Sequence, residues 1–218
     1  MIELFAEAYR LRLLRSLEEE LGPFGYRAIA GVDEAGRGAL AGPVVAAAVI
    51  PRPGRLVPGV DDSKRLSPDQ RERLAPRVRE ASIAWGVAAV TAGDIDAVNI
   101  LEATRLAMQR AIAALAPQPD LLLLDALRLP GVSLPQLGVV RGDSVCYSVA
   151  CASILAKVHR DQIMCNLDLR YPHYGFAAHK GYGAPEHLAA LAAYGPSPEH
   201  RLTFRSVLPR PREAGGVG

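Results

Sequence analysis

Ala28-Ile29-Ala30-Gly31-Val32-Asp33-Glu34-Ala35-Gly36-Arg37-Gly38 carries a short apolar strand, Ala28–Val32, straight into two adjacent acids and a glycine-flanked arginine. After Ala39-Leu40-Ala41-Gly42-Pro43 comes a second β-rich run, Val44–Ile50, closed by Pro51-Arg52-Pro53-Gly54. Adjacent carboxylates at a strand end are costly unless a cation or another partner is near. The glycines allow a tight loop whose backbone can approach a ligand closely. Three functional readings compete. A phosphate loop fits the Gly31–Gly36 spacing, but Arg37-Gly38 stands where Lys-Ser/Thr is required. A dinucleotide fingerprint fits Gly36-x-Gly38-x-x-Ala41, but a strand follows where that motif needs a helix. The third reading is a loop whose acids hold divalent metal and whose Gly-Arg-Gly backbone grips a phosphodiester. A purely structural turn is the plain alternative.

Outward from this stretch, Leu4–Leu21 has apolar residues at helical spacing and stops at Gly22-Pro23, which predicts a peripheral helix within residues 1–24. Ser67-Pro68 reads as N-cap and first position of a helix through Glu80. Ile83–Thr91 reads as a third strand, and Asp94–Ala116 as a helix stopped by Pro117. Leu121–Leu124 is a buried strand ending at Asp125, and Leu137–Val140 a fifth strand ending just before Asp143. Ser144–Leu169 predicts a long helix and Pro185–Tyr194 a shorter one. Three strands followed by alternating helices and strands argue for one α/β domain with a mixed, five-stranded sheet flanked by helices, over residues 25–208. Its last part, about 171–208, is a C-terminal helical extension, and the Pro/Gly-rich residues 209–218 read as a flexible tail. Asp33, Asp125 and Asp143 all fall at strand ends, where ligands of open α/β sheets collect. The alternative for Asp143-Ser144 is an N-cap of the long helix, and for Asp125 a turn.

Composition sets the bounds. Of 218 residues, 50% are hydrophobic and 22% charged, an ordinary globular balance that excludes a disordered chain. The net charge is only +2, but residues 157–212 hold eight Lys/Arg against four Asp/Glu, a mildly basic region compatible with a polyanion. The longest apolar run, Ala39–Ile50, is broken by Gly42-Pro43 and too short to span a membrane. The N-terminus lacks the cationic start and apolar centre of a signal peptide. Cys146, Cys151 and Cys165 are odd in number and show no CxxC spacing, which reads as reduced thiols in a cytoplasmic protein.

Gly31–Gly38 with Ala41-Gly42-Pro43-Val44-Val45 resembles the opening motif of the bacterial type 2 ribonuclease H family. Four further segments resemble that family's motifs in order: Asp62-Ser63-Lys64-Arg65-Leu66-Ser67; Asn99-Ile100 with Ala103-Thr104 and Ala107-Met108; Ala152–Val158 with Arg160-Asp161; and His179-Lys180-Gly181-Tyr182. Together they span about Ala28 to Phe204. Two departures stand out. Ala126 replaces the glycine that usually follows the third acid, and Val145–Cys151 differs from the usual run of small residues.

The resemblance implies a ribonuclease H-like fold and a metal-dependent endonuclease. It would cut RNA/DNA hybrids and DNA duplexes containing ribonucleotides, leaving 3′-hydroxyl and 5′-phosphate ends, and act as a monomer. Its catalytic and metal-binding residues would be Asp33, Glu34, Asp125 and Asp143. Such carboxylates suit hard cations, so Mg²⁺ or Mn²⁺ is expected, two ions roughly 3.5–4 Å apart. The resemblance also implies that Gly36, Arg37 and Gly38 read the ribose 2′-hydroxyl, with Tyr182 stacked on the adjoining sugar. Ser63, Lys64, Lys157 and Arg160 would meet backbone phosphate, and Asn99 and Ser153 fall in substrate-contacting motifs. Lys157 and Arg160, three apart, share a helix face, so one anion could meet both; the plain alternative is a solvated face. Two rival functions remain at this point: a hybrid-binding module without catalysis, and another two-metal nuclease on the same kind of fold.

Overall fold

The computed structural model describes residues 2–125 and 127–208, so the expected tail at 209–218 and the substituted position Ala126 lie outside the described residues. The strands are β1 (Ile29–Ala35), β2 (Val44–Pro51), β3 (Ser82–Val90), β4 (Leu121–Asp125) and β5 (Gln136–Val139). The helices are α1 (Ile2–Leu14), α2 (Ser16–Leu21), α3 (Pro68–Glu80), α4 (Ala92–Val98), α5 (Ile100–Ala113), α6 (Gly142–Val145), α7 (Tyr147–Arg170), α8 (Phe176–His179) and α9 (Pro185–Tyr194).

The strands form one sheet in the order β3-β2-β1-β4-β5. β1 runs antiparallel to β2 and parallel to β4, so the sheet is mixed, as expected. The central strands are apolar on both sides because helices cover both faces. Ala30, Val32, Leu122 and Leu124 pack with Met108 and Ala111 of α5 on one face. Ala47 and Val49 pack with Ile154 and Leu155 of α7 and Leu74 of α3 on the other. A fully buried leucine or isoleucine contributes about 1.5–3 kcal/mol. Gly31 is where α7 touches the sheet: a Cβ there would lie 2.1 Å from the Ser148 carbonyl carbon. A side chain at that position would lift the helix that carries Ser153, Lys157 and Arg160.

The structure divides three helices that periodicity reads as continuous. The N-terminal one breaks at Arg15 into α1 and α2, and buries Leu11 and Leu14 while leaving Ile2, Phe5 and Tyr9 exposed. Asn99 interrupts α4 and α5 with φ +72°; its side-chain oxygen accepts the Leu101 and Glu102 N–H groups and so caps α5. Cys146 separates α6 from α7 with extended backbone. Asp143 and Ser144 lie in α6 and do not cap the long helix. Glu18 of α2 does so from afar, accepting the Ser148 N–H at 2.8 Å and its hydroxyl at 2.7 Å. α8 is a one-turn helix without a pattern long enough to read.

Candidate active site

Parallel register brings the acids together. Val32 pairs with Leu124, so the next residues along the two strands, Asp33 and Asp125, end side by side. Leu121 and Leu123 face Val149 of α7, and alternation puts Asp125 on that same side. Asp33 is buried and accepts a hydrogen bond from Ser153 of α7. Glu34, one residue on, leaves from the other side and lies 3.2 Å from Arg37 Nη1. Asp125 accepts the Gly142 N–H at 2.9 Å, which ties the end of β4 to the start of α6. Asp143, buried in α6, pairs with Lys64 Nζ at 2.9 Å.

The electrostatics follow from that crowding. Burial pushes the Asp33 carboxyl well above its ordinary range, and the charges of Glu34 and Asp125 add to it, against the Ser153 bond. Burial also raises Glu34, with Arg37 opposing. Lys64 is held charged by its bond to Asp143, with Asp62 and Asp33 contributing. Among the described residues, Glu34 Oε2 is buried with no hydrogen-bond partner. An orphaned carboxylate oxygen beside a buried, reluctantly ionised aspartate is a place where a cation lowers the energy. The donors are all oxygen, which fits a hard divalent ion. Among the described residues, no three His, Cys, Asp or Glu side chains close to metal-ligand spacing. Asp125 and Asp143 instead accept hydrogen bonds from the Gly142 N–H and from Lys64 Nζ.

The other expected residues divide into two groups. Gly36 and Tyr182, far apart in sequence, are joined through Arg160, and Leu40 and Ala41 just after the Gly-Arg-Gly loop bond Gly181. Leu40 N–H donates to Gly181 O at 2.8 Å, and Gly181, at φ +79°, has Ala41 O 2.5 Å from where a Cβ would lie. Arg37 and Gly38 are exposed, and Tyr182 is 39% exposed. Other residues sit differently from their expected roles. Arg160 does not share an anion with Lys157: it is fully buried and donates to the carbonyls of Pro43, Ala41 and Lys180. Gly36 is what lets it in, since a Cβ there would lie 1.9 Å from Arg160 Nε. Its guanidinium is 5.3 Å from the Tyr182 ring centroid, so it is a strut beneath the tyrosine. Lys157 pairs with Asp161 at 2.7 Å, with its Nζ 5.9 Å from the same ring. The Ser63 and Ser153 hydroxyls are buried and 2.8 Å apart, so Ser63 turns its side chain inward and not toward a phosphate. Arg71 fixes that loop by donating to Ser63 O and Leu66 O. Asn99 is exposed, and its side-chain oxygen serves α5.

Arg201 is a residue that sequence reasoning passes over. It is fully buried and donates to Gly36 O at 2.7 Å, Arg37 O at 2.8 Å and Gly42 O at 2.9 and 3.0 Å. Burial, and then the neighbouring Arg160 charge, push its pKa down. His200 beside it bonds His187 at 3.0 Å, and His187 Nδ1 bonds Tyr182 O at 2.8 Å. The C-terminal segment therefore braces both the Gly-Arg-Gly loop and the tyrosine turn.

A mixed five-stranded sheet with acids clustered at the ends of β1 and β4, backed by α7, defines a ribonuclease H-like protein. A family model described as Ribonuclease HII matches residues 30–207. Ribonuclease HII of Geobacillus thermodenitrificans (strain NG80-2) is 53% identical over 212 residues, covering 97% of this chain and 80% of that protein. Ribonuclease HII of Solibacter usitatus (strain Ellin6076) is 50% identical over 198 residues, 91% of this chain and 86% of that one. Among solved structures, ribonuclease H2 from Pyrococcus horikoshii OT3 matches with a TM-score of 0.71 and 27% identity, over 83% of this chain and 95% of the other. The chain belongs to the ribonuclease HII family, and it is a ribonuclease H, an endonuclease acting on RNA/DNA hybrids.

Proposed function

We propose that this enzyme cuts the phosphodiester on the 5′ side of a ribonucleotide, in hybrids and at single ribonucleotides embedded in duplex DNA. The ends left are a 3′-hydroxyl and a 5′-phosphate, and the tasks served are removal of RNA primers and of misincorporated ribonucleotides. The observation that carries this reading is that Arg160 packs against both Gly36 and the Tyr182 ring, while Leu40, two residues after Gly38, holds the Gly181 carbonyl. A reader of one ribose followed by deoxyribose needs polar backbone for the 2′-hydroxyl beside an apolar ring for the next sugar. Here the exposed Arg37-Gly38 backbone and the partly exposed Tyr182 ring are joined through Arg160.

Asp33, Glu34, Asp125 and Asp143 would hold the divalent ions, Mg²⁺ or Mn²⁺. Bound there, the ions supply Lewis acidity and neutralise charge at the scissile phosphate. The rest falls to the chain. Arg37, exposed and next to Glu34, can swing between that carboxylate and substrate phosphate. Lys64 is 76% exposed at the side chain and is free to follow a phosphate once Asp143 has another cation. Tyr182, resting on Arg160, presents one face of its ring outward. The Ser63–Ser153 pair stabilises the ionised form of Asp33 from behind.

The test is cleavage of a DNA duplex with one ribonucleotide, run with Mg²⁺ or Mn²⁺. A single cut 5′ of the ribonucleotide is expected, with chelation abolishing cleavage while leaving binding. Cleavage confined to long all-RNA hybrids would refute the junction reading.

A further inference from the structure

Among the described residues, no carboxylate forms an ion pair with Arg201. Its guanidinium is fully buried, and its hydrogen bonds go to backbone carbonyls of one loop, Gly36, Arg37 and Gly42. Burying a charge without a direct ion-pair partner is expensive. The geometry shows what the arginine does for the loop. In a trans peptide the C=O of one residue and the N–H of the next point in opposite directions. The Gly36 and Arg37 carbonyls are turned inward to Arg201 at 2.7 and 2.8 Å. The Arg37 and Gly38 N–H groups are therefore turned outward. Both residues are exposed, and among the described residues neither N–H is donated to a protein acceptor. Two adjacent outward N–H groups form a small donor pair suited to a hydroxyl or phosphate oxygen.

We infer that Arg201 is the positioning residue of the ribose reader: by drawing the Gly36 and Arg37 carbonyls inward it presents the Arg37 and Gly38 N–H groups to the substrate's 2′-hydroxyl. This rests on the junction reading above and names the part of the chain that sets it. Arginine is required because one planar fork must satisfy three carbonyls at once; a lysine has three donors but no fixed fork. Arg160 cannot substitute, since its donors go to Ala41, Pro43 and Lys180.

The experiment measures binding of two duplexes, one all-DNA and one with a single ribonucleotide, to wild type, Arg201→Lys and Arg201→Met, with Ca²⁺ as the probe metal to hold back cleavage. Wild type should prefer the ribonucleotide duplex. Arg201→Met should lose about tenfold of that preference, the order expected for one or two hydrogen bonds. Its all-DNA affinity should fall clearly less than its affinity for the ribonucleotide duplex, because most phosphate contacts, Lys64 among them, lie outside this loop. Arg201→Lys should recover part of the preference. A folded Arg201→Met with its preference intact, or with both affinities reduced equally, overturns the inference. If Arg201→Met fails to fold, wild-type amide exchange decides. The Arg37 and Gly38 amides should be protected by the ribonucleotide duplex and not by all-DNA; equal protection by both overturns the inference. A wild type that binds both duplexes alike and does not cut at the ribonucleotide refutes the junction reading itself, a different outcome from all of these.

Discussion

Tyr182→Ala separates ring from backbone more cleanly than any other change in this site. The turn does not depend on the ring: Tyr182 N–H donates to His179 O at 3.0 Å, its carbonyl meets His187, and Leu40 N–H holds Gly181 O. The ring's own contacts are Arg160 at 5.3 Å and Lys157 at 5.9 Å, and it is 39% exposed. Partly exposed cation–π contacts are worth about 0.5–1 kcal/mol, so the fold should lose roughly 1 kcal/mol, a Tm drop of about 2–4 °C. The catalytic loss should be larger. Stacking on a nucleotide is worth about 1–3 kcal/mol, which predicts a roughly ten- to a hundredfold fall in cleavage at a single embedded ribonucleotide. All-RNA hybrids should lose less, since their sites lack the deoxyribose that the ring favours. Tyr182→Phe should keep most of both activities. The assay compares kcat/KM on the two substrates under one metal and salt condition. Equal losses on both would mean that the ring is a general contact, and the junction argument would fall.

Asp33→Asn and Asp143→Asn should each abolish nearly all cleavage. With metal chelated, Asp33→Asn should match or exceed wild type in denaturant midpoint, because burial and the charges of Glu34 and Asp125 disfavour its ionised form; near-normal turnover in either variant would sink the assignment. Arg160→Met should lower stability by about 3 kcal/mol or more by orphaning three carbonyls, whereas Lys64→Ala should leave the Tm nearly unchanged and flatten the salt dependence of substrate binding. A thermally unaltered Arg160→Met would contradict its placement. His200 is held down to about 4 by burial first and His187 second, so the fold favours its neutral form. Its stabilising contribution is complete above the unfolded value near 6.5 and is lost as pH falls toward 4, by roughly 3 kcal/mol at most. Asp33 and Glu34, with raised pKa values, act in the opposite sense, so the informative quantity is the Tm difference between wild type and His200→Gln, which should shrink from pH 7 to pH 4. A constant difference would show that His200 does not titrate in that window.

The strands and their acids were readable because each depends on local pattern. Leu121–Leu124 can only be a buried strand if helices cover both faces, and the acid that ends it must then emerge at the sheet's edge. Helix interruptions were not readable. Asn99 and Cys146 stop helices through backbone conformations that an apolar period does not register, and Glu18 caps α7 from 130 residues away. The basic residues were least readable. Lys157 and Arg160 look alike on one helix face, yet one forms a half-buried pair with Asp161 and the other is fully enclosed.

The sequence by itself determined the order of elements, the mixed sheet and the family, because alternation, caps and spaced motifs are local and each constrains its own segment. Only the tertiary structure decided which polar side chains face the substrate and which face inward. That choice depends on partners contributed by remote segments. Arg201 is buried because Gly36, Arg37 and Gly42 offer it carbonyls, and Arg160 because Gly36 has no Cβ to exclude it. A long basic side chain carries no sign of such partners in its own neighbourhood. Its role is set by whether the fold brings unsatisfied oxygens within reach, and that is a property of the packed chain.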